Sequence, residues 1–462
     1  MKMADQEVIT PIDSTAPFSV VVITLSLGAI ILLFMLVCGF GRGKPDEEET
    51  HQEEEKPVKE KKPNQNAKKQ QKSGLQGNKK ASQKAYSHPL LASSLKDHSH
   101  NVLDMDFSIN GKYLASCSED RTVRVWSVKE FKDKEHKCVR GNVEYDHATN
   151  IKFSPDCKSF VTSLANGNCI RVFKLGKKED GSSTQISQVL DFPKSRDQDI
   201  LSIGIGSNAS GSFVMIAYRD TTIQILNTKG EILATLDTHH MSNNYAAVSP
   251  CGRFVASCGF TPDVKVWEVV FTKGGDFKEV SRAMELKGHK ASVYYFSFNI
   301  DSTRMATVSK DGTWKLWDTD VEYNKQQDPY LLLTGQYPHR GPSLITLSAD
   351  SYSVAIAQGT DVWIYSADGK QEEEEFKDVH SQNIAKIGFD PSGKFLVSTG
   401  DRFMRVFHNI IGLRAQVADL EAKQKKTTSG AMKERLEHQI TSIREQIDTI
   451  LGLNSEETPA GT

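Results

Sequence analysis

The chain has 462 residues, and its 57 lysines and arginines nearly balance its 59 aspartates and glutamates, giving a formal net charge of -2. This balance excludes a protein drawn to nucleic acid by its overall charge, so any electrostatic function has to come from local clusters. The seven cysteines are widely spaced and form no Cys-x-x-Cys pair, which indicates neither a disulfide framework nor a zinc site. We therefore expect reduced thiols in a cytosolic domain.

Residues 18–40 (FSVVVITLSLGAIILLFMLVCGF) contain no charged side chain. An apolar stretch of about 20 residues is long enough to cross a bilayer as a helix. A signal peptide has a basic start and a shorter apolar run, whereas Asp5, Glu7 and Asp13 precede this segment. The sequence predicts an uncleaved transmembrane helix after a short lumenal N-terminus of residues 1–17, in preference to a signal peptide or a buried core helix.

The orientation in the membrane follows from the basic residues at the two ends of this segment. Only Lys2 precedes it, whereas Arg42, Lys44 and many later lysines follow it. Because basic residues favour the cytosolic side, we expect a single-pass protein with the bulk of the chain in the cytosol. Asn208 begins an Asn-Ala-Ser glycosylation sequence, which should stay unmodified on that side.

Residues 41–87 form a linker with almost no apolar residues, in which an acidic block precedes a lysine-rich block. Such a composition buries too little surface to offset the entropy of ordering, so it predicts disorder. One interpretation is a solvated spacer, and the other is that the lysines contact phosphates of RNA, a ribosome or lipids. The candidate phosphate contacts are Lys56, Lys59, Lys61, Lys62, Lys68, Lys69, Lys72, Lys79, Lys80 and Lys84.

Internal repeats organise the chain from residue 88 to residue 409. The segment beginning at His98 ends in SEDRTVRVWSV, and the segment beginning at His289 ends in SKDGTWKLWDT. In both segments the histidine stands 22 residues before an aspartate and 28 before a tryptophan. Equivalent positions recur every 41 to 53 residues, at Trp126, Phe173, Leu226, Trp267, Trp317, Tyr365 and Phe407.

Each repeat alternates short strands with turns rich in Asp, Asn, Pro and Gly. Through its Asp-x-Thr-Val-x-Val-Trp and Asp-Gly-Thr-x-x-Leu-Trp-Asp motifs, this region resembles the WD-repeat family. The resemblance implies an all-β, seven-bladed WD-repeat β-propeller, joined here to an N-terminal transmembrane helix and C-terminal amphipathic helices. Closing the ring needs an outer strand for the last blade, and we expect residues 89–96 to pair with residues 404–408.

The recurring histidines invite a metal interpretation, but they belong to different blades and are too far apart to share an ion. In WD-repeat domains such a histidine forms a buried hydrogen-bonded network within one blade, which satisfies polar groups that would otherwise be unpaired. Carried over by motif position, the network residues are His98, Ser118, Asp120 and Trp126 in the first repeat and His289, Ser309, Asp311 and Trp317 in the fifth.

Motifs of catalysis are missing from the sequence: it has no phosphate-binding loop ending in Lys-Ser/Thr, no Gly-x-Ser-x-Gly elbow and no His-Glu-x-x-His. We expect no enzyme activity, no cofactor, no metal site and no small-molecule substrate. Residues 410–453 change to a helical period and predict two amphipathic helices broken near residues 427–430, which pack on the propeller or mediate self-association or partner binding. Residues 454–462 are expected to be a disordered tail.

These features predict a membrane-anchored scaffold that binds protein partners through its propeller loops. The chain as a whole resembles membrane-anchored members of the WD-repeat family, which implies residence in the endoplasmic reticulum membrane. The same resemblance implies a role in stress signalling and translation control, near the unfolded-protein-response kinase and translating ribosomes. A membrane-tethered RNA or ribosome binder is the alternative, and regulation of a small GTPase is a third possibility.

Overall fold

The structure is a computed structural model that describes residues 86–177, 184–369 and 373–453. The predicted transmembrane helix of residues 18–40, the lumenal segment before it, the ten candidate lysines and the tail of residues 454–462 lie outside these ranges. No helix within the described ranges is long and apolar enough to cross a membrane.

Seven antiparallel four-stranded sheets, or blades, account for the strands of the described residues. The chain enters through β1 (Leu91–Leu95) and continues into blade 1, which contains β2 (Val102–Phe107), β3 (Tyr113–Ser118), β4 (Thr122–Ser127) and β5 (Cys138–Asn142). Blade 2 contains β6 (Ala148–Phe153), β7 (Ser159–Leu164), β8 (Ile170–Lys177) and β9 (Thr184–Asp191). Blade 3 contains β10 (Ile200–Asn208), β11 (Gly211–Tyr218), β12 (Thr222–Leu226) and β13 (Ile232–Asp237).

The remaining blades follow the same order. Blade 4 contains β14 (Asn243–Val248), β15 (Phe254–Gly259), β16 (Asp263–Phe271) and β17 (Phe277–Lys287). Blade 5 contains β18 (Val293–Phe298), β19 (Arg304–Ser309), β20 (Thr313–Asp318) and β21 (Tyr330–Gln336). Blade 6 contains β22 (Leu344–Leu347), β23 (Ser353–Gln358), β24 (Asp361–Ser366) and β25 (Glu373–Phe376), and blade 7 contains β26 (Lys386–Phe389), β27 (Phe395–Thr399) and β28 (Met404–His408). Short 3-10 segments occur at Val128–Lys132 and Tyr323–Lys325.

The ring is closed by the strand at the beginning of the described chain. β1 pairs antiparallel with β28, with Leu95 opposite Met404, and so supplies the fourth strand of blade 7. The predicted closure is therefore confirmed, as is the seven-bladed propeller. With β1 in place, blade 7 has four strands like the other blades. Leu95, Met404 and Trp126 are buried together where blade 7 meets blade 1.

The antiparallel order gives the ring two different ends. One end carries the loops between successive blades and the turns between each blade's second and third strands, and it includes His98, Asp120, His289 and Asp311. We call this end the histidine face. The other end carries the turns between first and second strands, such as the turn of Gly111, whose φ of +67° suits glycine. We call this end the turn face.

Two helices follow blade 7, as predicted: α1 (Ile410–Lys426) and α2 (Gly430–Leu451). Helix α1 packs on the propeller, because Ile410 and Ile411 are buried in one apolar cluster with residues of blades 6 and 7. Tyr352 at the edge of blade 6 donates a hydrogen bond of 2.6 Å to Asp419. In α2, Ile447 and Ile450 are partly buried against the same cluster, so packing against the propeller is the observed arrangement.

Candidate functional site

A chain of side-chain hydrogen bonds lies inside blade 1. His98 Nδ1 is 2.9 Å from a carboxylate oxygen of Asp120, and His98 Nε2 is 2.8 Å from the hydroxyl of Ser116. The indole Nε1 of Trp126 donates to the same hydroxyl over 2.9 Å. Since a carboxylate only accepts, Nδ1 carries the ring proton and Nε2 accepts from Ser116. Thr122 donates to the other carboxylate oxygen of Asp120 over 2.6 Å.

The hydroxyl in this network corrects the sequence prediction, which named Ser118. Ser118 instead donates to the carbonyl of His100 over 3.1 Å and accepts from the backbone N–H of Asp120. Residues 116 and 118 lie on the same face of β3, but a two-residue step displaces a side chain by about 6.6 Å along a strand. Only Ser116 lies within reach of both the imidazole and the indole.

Blade 5 repeats this geometry with threonine in the hydroxyl position. His289 Nδ1 is 3.1 Å from Asp311, its Nε2 is 2.8 Å from Thr307, and Trp317 donates to Thr307 over 2.9 Å. The predicted Ser309 lies outside the network and donates to the carbonyls of Ala291 and Ser292. The correction has the same cause as in blade 1.

Blades 7 and 4 contain related networks. In blade 7, His380 Nε2 is 2.8 Å from Ser398, while a guanidinium nitrogen of Arg405 is 2.6 Å from His380 Nδ1 and 3.2 Å from each oxygen of Asp401. In blade 4 it is His240 that lies beside Ser257, at 3.0 Å. A separation of 17 or 18 residues between histidine and hydroxyl recurs in all four blades, and this spacing is a sequence signal that identifies the hydroxyl.

In blades 2, 3 and 6, other polar side chains replace the pair of histidine and hydroxyl. Their principal contacts are those of Asp146 with Asn166 in blade 2, Tyr218 with Gln224 in blade 3, and Gln358 with Ser343 in blade 6. The histidines at the starts of repeats two and six do not enter such a network: His147 donates its backbone N–H to Asp146, and His339 contacts Tyr337.

The networks keep their histidines neutral and their aspartates charged. Burial lowers the pKa of His98 and of His289, although the neighbouring aspartates act in the opposite direction. Burial would raise the pKa of Asp311, but hydrogen bonds from Thr313 and from the backbone of Lys290 lower it to about 2. These groups are structural, since each ring nitrogen is already engaged within its own blade. Within the described residues, no group of three or more His, Cys, Asp or Glu side chains is arranged to hold a metal ion.

The central channel is filled at mid-height by side chains of the innermost strands. Equivalent positions of the seven strands form what we call the upper layer: Asp104, Asn150, Ser202, Tyr245, Tyr295, Leu344 and Lys386. The rings of Tyr245 and Tyr295 stack with centroids 3.7 Å apart, and the ammonium of Lys386 donates to the Tyr295 hydroxyl over 2.6 Å. These contacts join blades 4, 5 and 7 across the axis.

Two lysine–aspartate ion pairs lie in this layer and one step below it. Lys386 lies 3.5 Å from Asp104, and Lys152 lies 2.9 Å from Asp106. Burial alone would lower the pKa of each lysine, but the two aspartates more than offset burial, so both pKa values are raised and both lysines stay charged. This cluster was not predicted from the sequence, because its members come from repeats far apart in the chain.

The histidine face carries several exposed apolar side chains on its loops. Tyr145, before β6, is 94 % exposed with a φ of +61°, a conformation unusual for a bulky residue. Met241 and Phe260 of blade 4 are 77 % and 52 % exposed, and their loops are joined by the hydrogen bond from Phe260 N to Ser242 O. Aromatic side chains and methionine are enriched in protein interfaces, so this face is the candidate interaction surface.

Arginines lie beside aromatic side chains at two clefts of this face. Arg121 and Arg140 line a surface cleft together with Tyr145. Arg402 stacks on Phe403, with the guanidinium carbon 4.8 Å from the ring centroid, at a second cleft between blades 7 and 1. Tyrosine and arginine are both enriched at energetic hot spots of protein interfaces.

Comparison with known proteins agrees with this architecture. The WD domain, G-beta repeat family matches residues 90–127, 281–318 and 374–408, which fall on blades 1, 5 and 7, three of the blades with a histidine–hydroxyl network. Transducin beta-like protein 2 of Mus musculus is 50 % identical over 405 residues, covering 86 % of this chain and 91 % of that protein. The chain belongs to the transducin beta-like protein 2 family of WD-repeat proteins.

Other relatives are similar over different lengths. Transducin beta-like protein 2 of Homo sapiens is 50 % identical over 387 residues, covering 83 % of this chain and 86 % of that protein. Apoptotic protease-activating factor 1 of Danio rerio is 24 % identical over 234 residues, which is 48 % of this chain but only 17 % of that protein. WD-repeat propellers of this kind generally serve as scaffolds for protein interaction without enzymatic activity of their own.

Proposed function

We propose that this protein binds cytosolic protein partners on its histidine face and holds them at the endoplasmic reticulum membrane. The observation that carries the proposal is the exposure of Tyr145, Met241 and Phe260 on loops of a rigid ring. Large apolar side chains at these positions cost solvation free energy in the free protein, and a partner surface that covers them recovers it.

Residues 18–40 are the proposed anchor, and their uncharged sequence of 23 residues supports a membrane span. An anchor raises the local concentration of whatever the propeller binds without adding contacts. The proposed partner is the unfolded-protein-response kinase that phosphorylates a translation initiation factor. Its support is the resemblance of the whole chain to membrane-anchored WD-repeat proteins, and the proposed consequence is control of translation under stress.

Protease protection on intact microsomes tests the topology. Asn208 lies at the end of β10 on the turn face, and its side-chain oxygen accepts backbone N–H groups of Ser210 and Gly211. With a cytosolic propeller, added protease digests the chain beyond residue 88 and Asn208 carries no glycan. A protected propeller with a glycan on Asn208 contradicts the proposal.

Crosslinking in the same microsomes tests the surface. We expect crosslinks between the full chain and the cytosolic domain of the kinase to disappear in the triple variant Tyr145→Ser, Met241→Ser, Phe260→Ser. The matched control replaces Val189 and Ile232 by serine, because both are well exposed but lie on outer strands. Equal crosslinking by the triple variant contradicts binding through this face.

The lysine-rich sequence between Lys56 and Lys84 supports a second function, binding of RNA or ribosomes at the membrane. Lysines neutralise phosphate without reading sequence, so such binding weakens steeply with salt. Replacing the ten candidate lysines by glutamine should abolish salt-sensitive co-sedimentation with ribosomes if this function is real. Unchanged co-sedimentation leaves the protein scaffold as the function.

A further inference from the structure

The central channel opens on the turn face as a funnel with a cavity of about 330 Å³. One step below the upper layer, the seven innermost strands again contribute equivalent residues, which we call the lower layer: Asp106, Lys152, Gly204, Ala247, Ser297, Thr346 and Gly388. Five of these seven residues are small. Their size leaves the funnel open above a floor formed by Tyr245, Tyr295 and Lys386.

The rim of the funnel is apolar. Ile109 and Ile300, at the turns of blades 1 and 5, are 46 % and 41 % exposed, and Pro155, Pro250 and Pro391 occupy the turns of three other blades. Proline fixes the backbone angle φ, so these three turns of the rim are conformationally restricted. Binding a ligand therefore costs less conformational entropy at this rim than it would at flexible loops.

The interior of the funnel is polar and electrically balanced. Lys152, Lys386 and Asp106 line it, and Asp104 lies behind them, 3.5 Å from Lys386 and 3.9 Å from Lys152. Asp390 also lines the cavity, but its carboxylate accepts the backbone N–H groups of Ser392 and Phe395 in its own turn. A charged ligand would lose its hydration on entering, and no unpaired opposite charge is present to offset this cost, because the lysines and aspartates already pair with one another. A neutral group that both donates and accepts hydrogen bonds matches these pairs.

We propose that the funnel binds an extended apolar peptide segment of a protein partner, which inserts one tyrosine side chain with its hydroxyl toward Asp106 and Lys152. The aromatic ring fits between the apolar rim and the stacked tyrosines of the floor. The phenol donates to the carboxylate of Asp106 and accepts from the ammonium of Lys152. This site lies on the face opposite the proposed scaffold surface, so it is independent of the proposed function.

The test is selection of a phage-displayed library of linear peptides on the full chain in detergent, followed by fluorescence anisotropy with synthetic peptides. The blocking variant is Gly388→Leu, because a Cβ at Gly388 meets only Met105 at an ordinary distance of 3.6 Å. The matched control is Ala209→Leu, which adds the same side chain on an exposed turn of the same face outside the funnel.

We expect enriched peptides to contain a tyrosine flanked by apolar residues, to bind Gly388→Leu at least tenfold more weakly, and to bind Ala209→Leu as they bind the wild type. Replacing that tyrosine by phenylalanine should weaken binding at least fivefold. If Gly388→Leu does not fold, the double rim variant Ile109→Ser, Ile300→Ser replaces it, since both side chains are partly exposed. Enrichment of charged anchors, no enrichment, or equal binding by the blocked and rim variants overturns the proposal.

Discussion

The indole of Trp126 and the imidazole of His98 meet at one atom, the hydroxyl oxygen of Ser116, which accepts from the first and donates to the second. A single small side chain thereby satisfies two buried ring nitrogens from different parts of the blade.

This arrangement predicts a large difference between two neighbouring serines. Ser116→Ala leaves the indole N–H and an imidazole nitrogen unpaired in the core, which should lower the free energy of unfolding by about 2–4 kcal/mol. Ser118→Ala removes contacts at the edge of a turn and should cost about 1 kcal/mol. Urea denaturation measures both values, and Ser116→Thr is the control, since Thr307 has the same role in blade 5. Equal losses at the two serines would contradict the assignment.

The neutral histidine of blade 4 predicts a pH dependence. Burial, with a smaller contribution from Lys265, lowers the pKa of His240 to about 4. Between pH 6.5 and about 4 the unfolded chain therefore binds a proton that the folded chain does not, so stability falls as the pH falls. The slope from this one residue is at most about 1.4 kcal/mol per pH unit. Denaturation midpoints at several pH values should show a shallower slope for His240→Gln, and an unchanged slope would refute the assignment.

The junction between blade 7 and helix α1 depends on Asn409. Its side-chain N–H groups donate to Ser353 Oγ and Gly393 O, each over 2.8 Å, and its oxygen accepts from Gly412 N over 3.0 Å. Asn409→Ala should lower the free energy of unfolding by about 2–4 kcal/mol, because a cap and two buried acceptors lose their partner.

The matched control for this junction is Ser429→Ala. Ser429 stands at the start of α2 but makes no side-chain capping hydrogen bond. Its replacement should change stability by less than about 0.5 kcal/mol. Thermal unfolding followed by circular dichroism distinguishes the two variants. Equal effects would mean that Asn409 does not stabilise the junction between blade 7 and α1.

The upper layer of the channel predicts a strong effect far from any binding loop. Lys386→Met removes the hydrogen bond to Tyr295 and leaves Asp104 with less positive charge nearby, which should cost about 3–5 kcal/mol of stability. Lys394→Met, at an exposed turn, should cost less than about 0.5 kcal/mol. Urea denaturation of the two variants is the measurement, and similar midpoints would show that the layer contributes little.

The repeat spacing predicted the propeller and its closure because each blade is formed mainly by one continuous segment of about 45 residues. The turns and alternating strands of a blade can therefore be recognised within that segment. The predicted network hydroxyl was two residues away from the observed one, because Ser116 and Ser118 share a strand face. Only the position of the imidazole ring distinguishes them. The channel layers could not be predicted, since Asp104, Tyr295 and Lys386 meet only when the ring closes. Exposure of Tyr145 likewise depends on a loop conformation that no motif specifies.

The central claim is that the histidine face binds a protein partner, and an equilibrium dissociation constant tests it most directly. The full chain in lipid nanodiscs is titrated with the cytosolic domain of the unfolded-protein-response kinase, using wild type, the Tyr145/Met241/Phe260 serine variant and the Val189/Ile232 serine control. The account predicts that the triple variant binds at least tenfold more weakly while the control matches the wild type. Equal dissociation constants for all three proteins would contradict it.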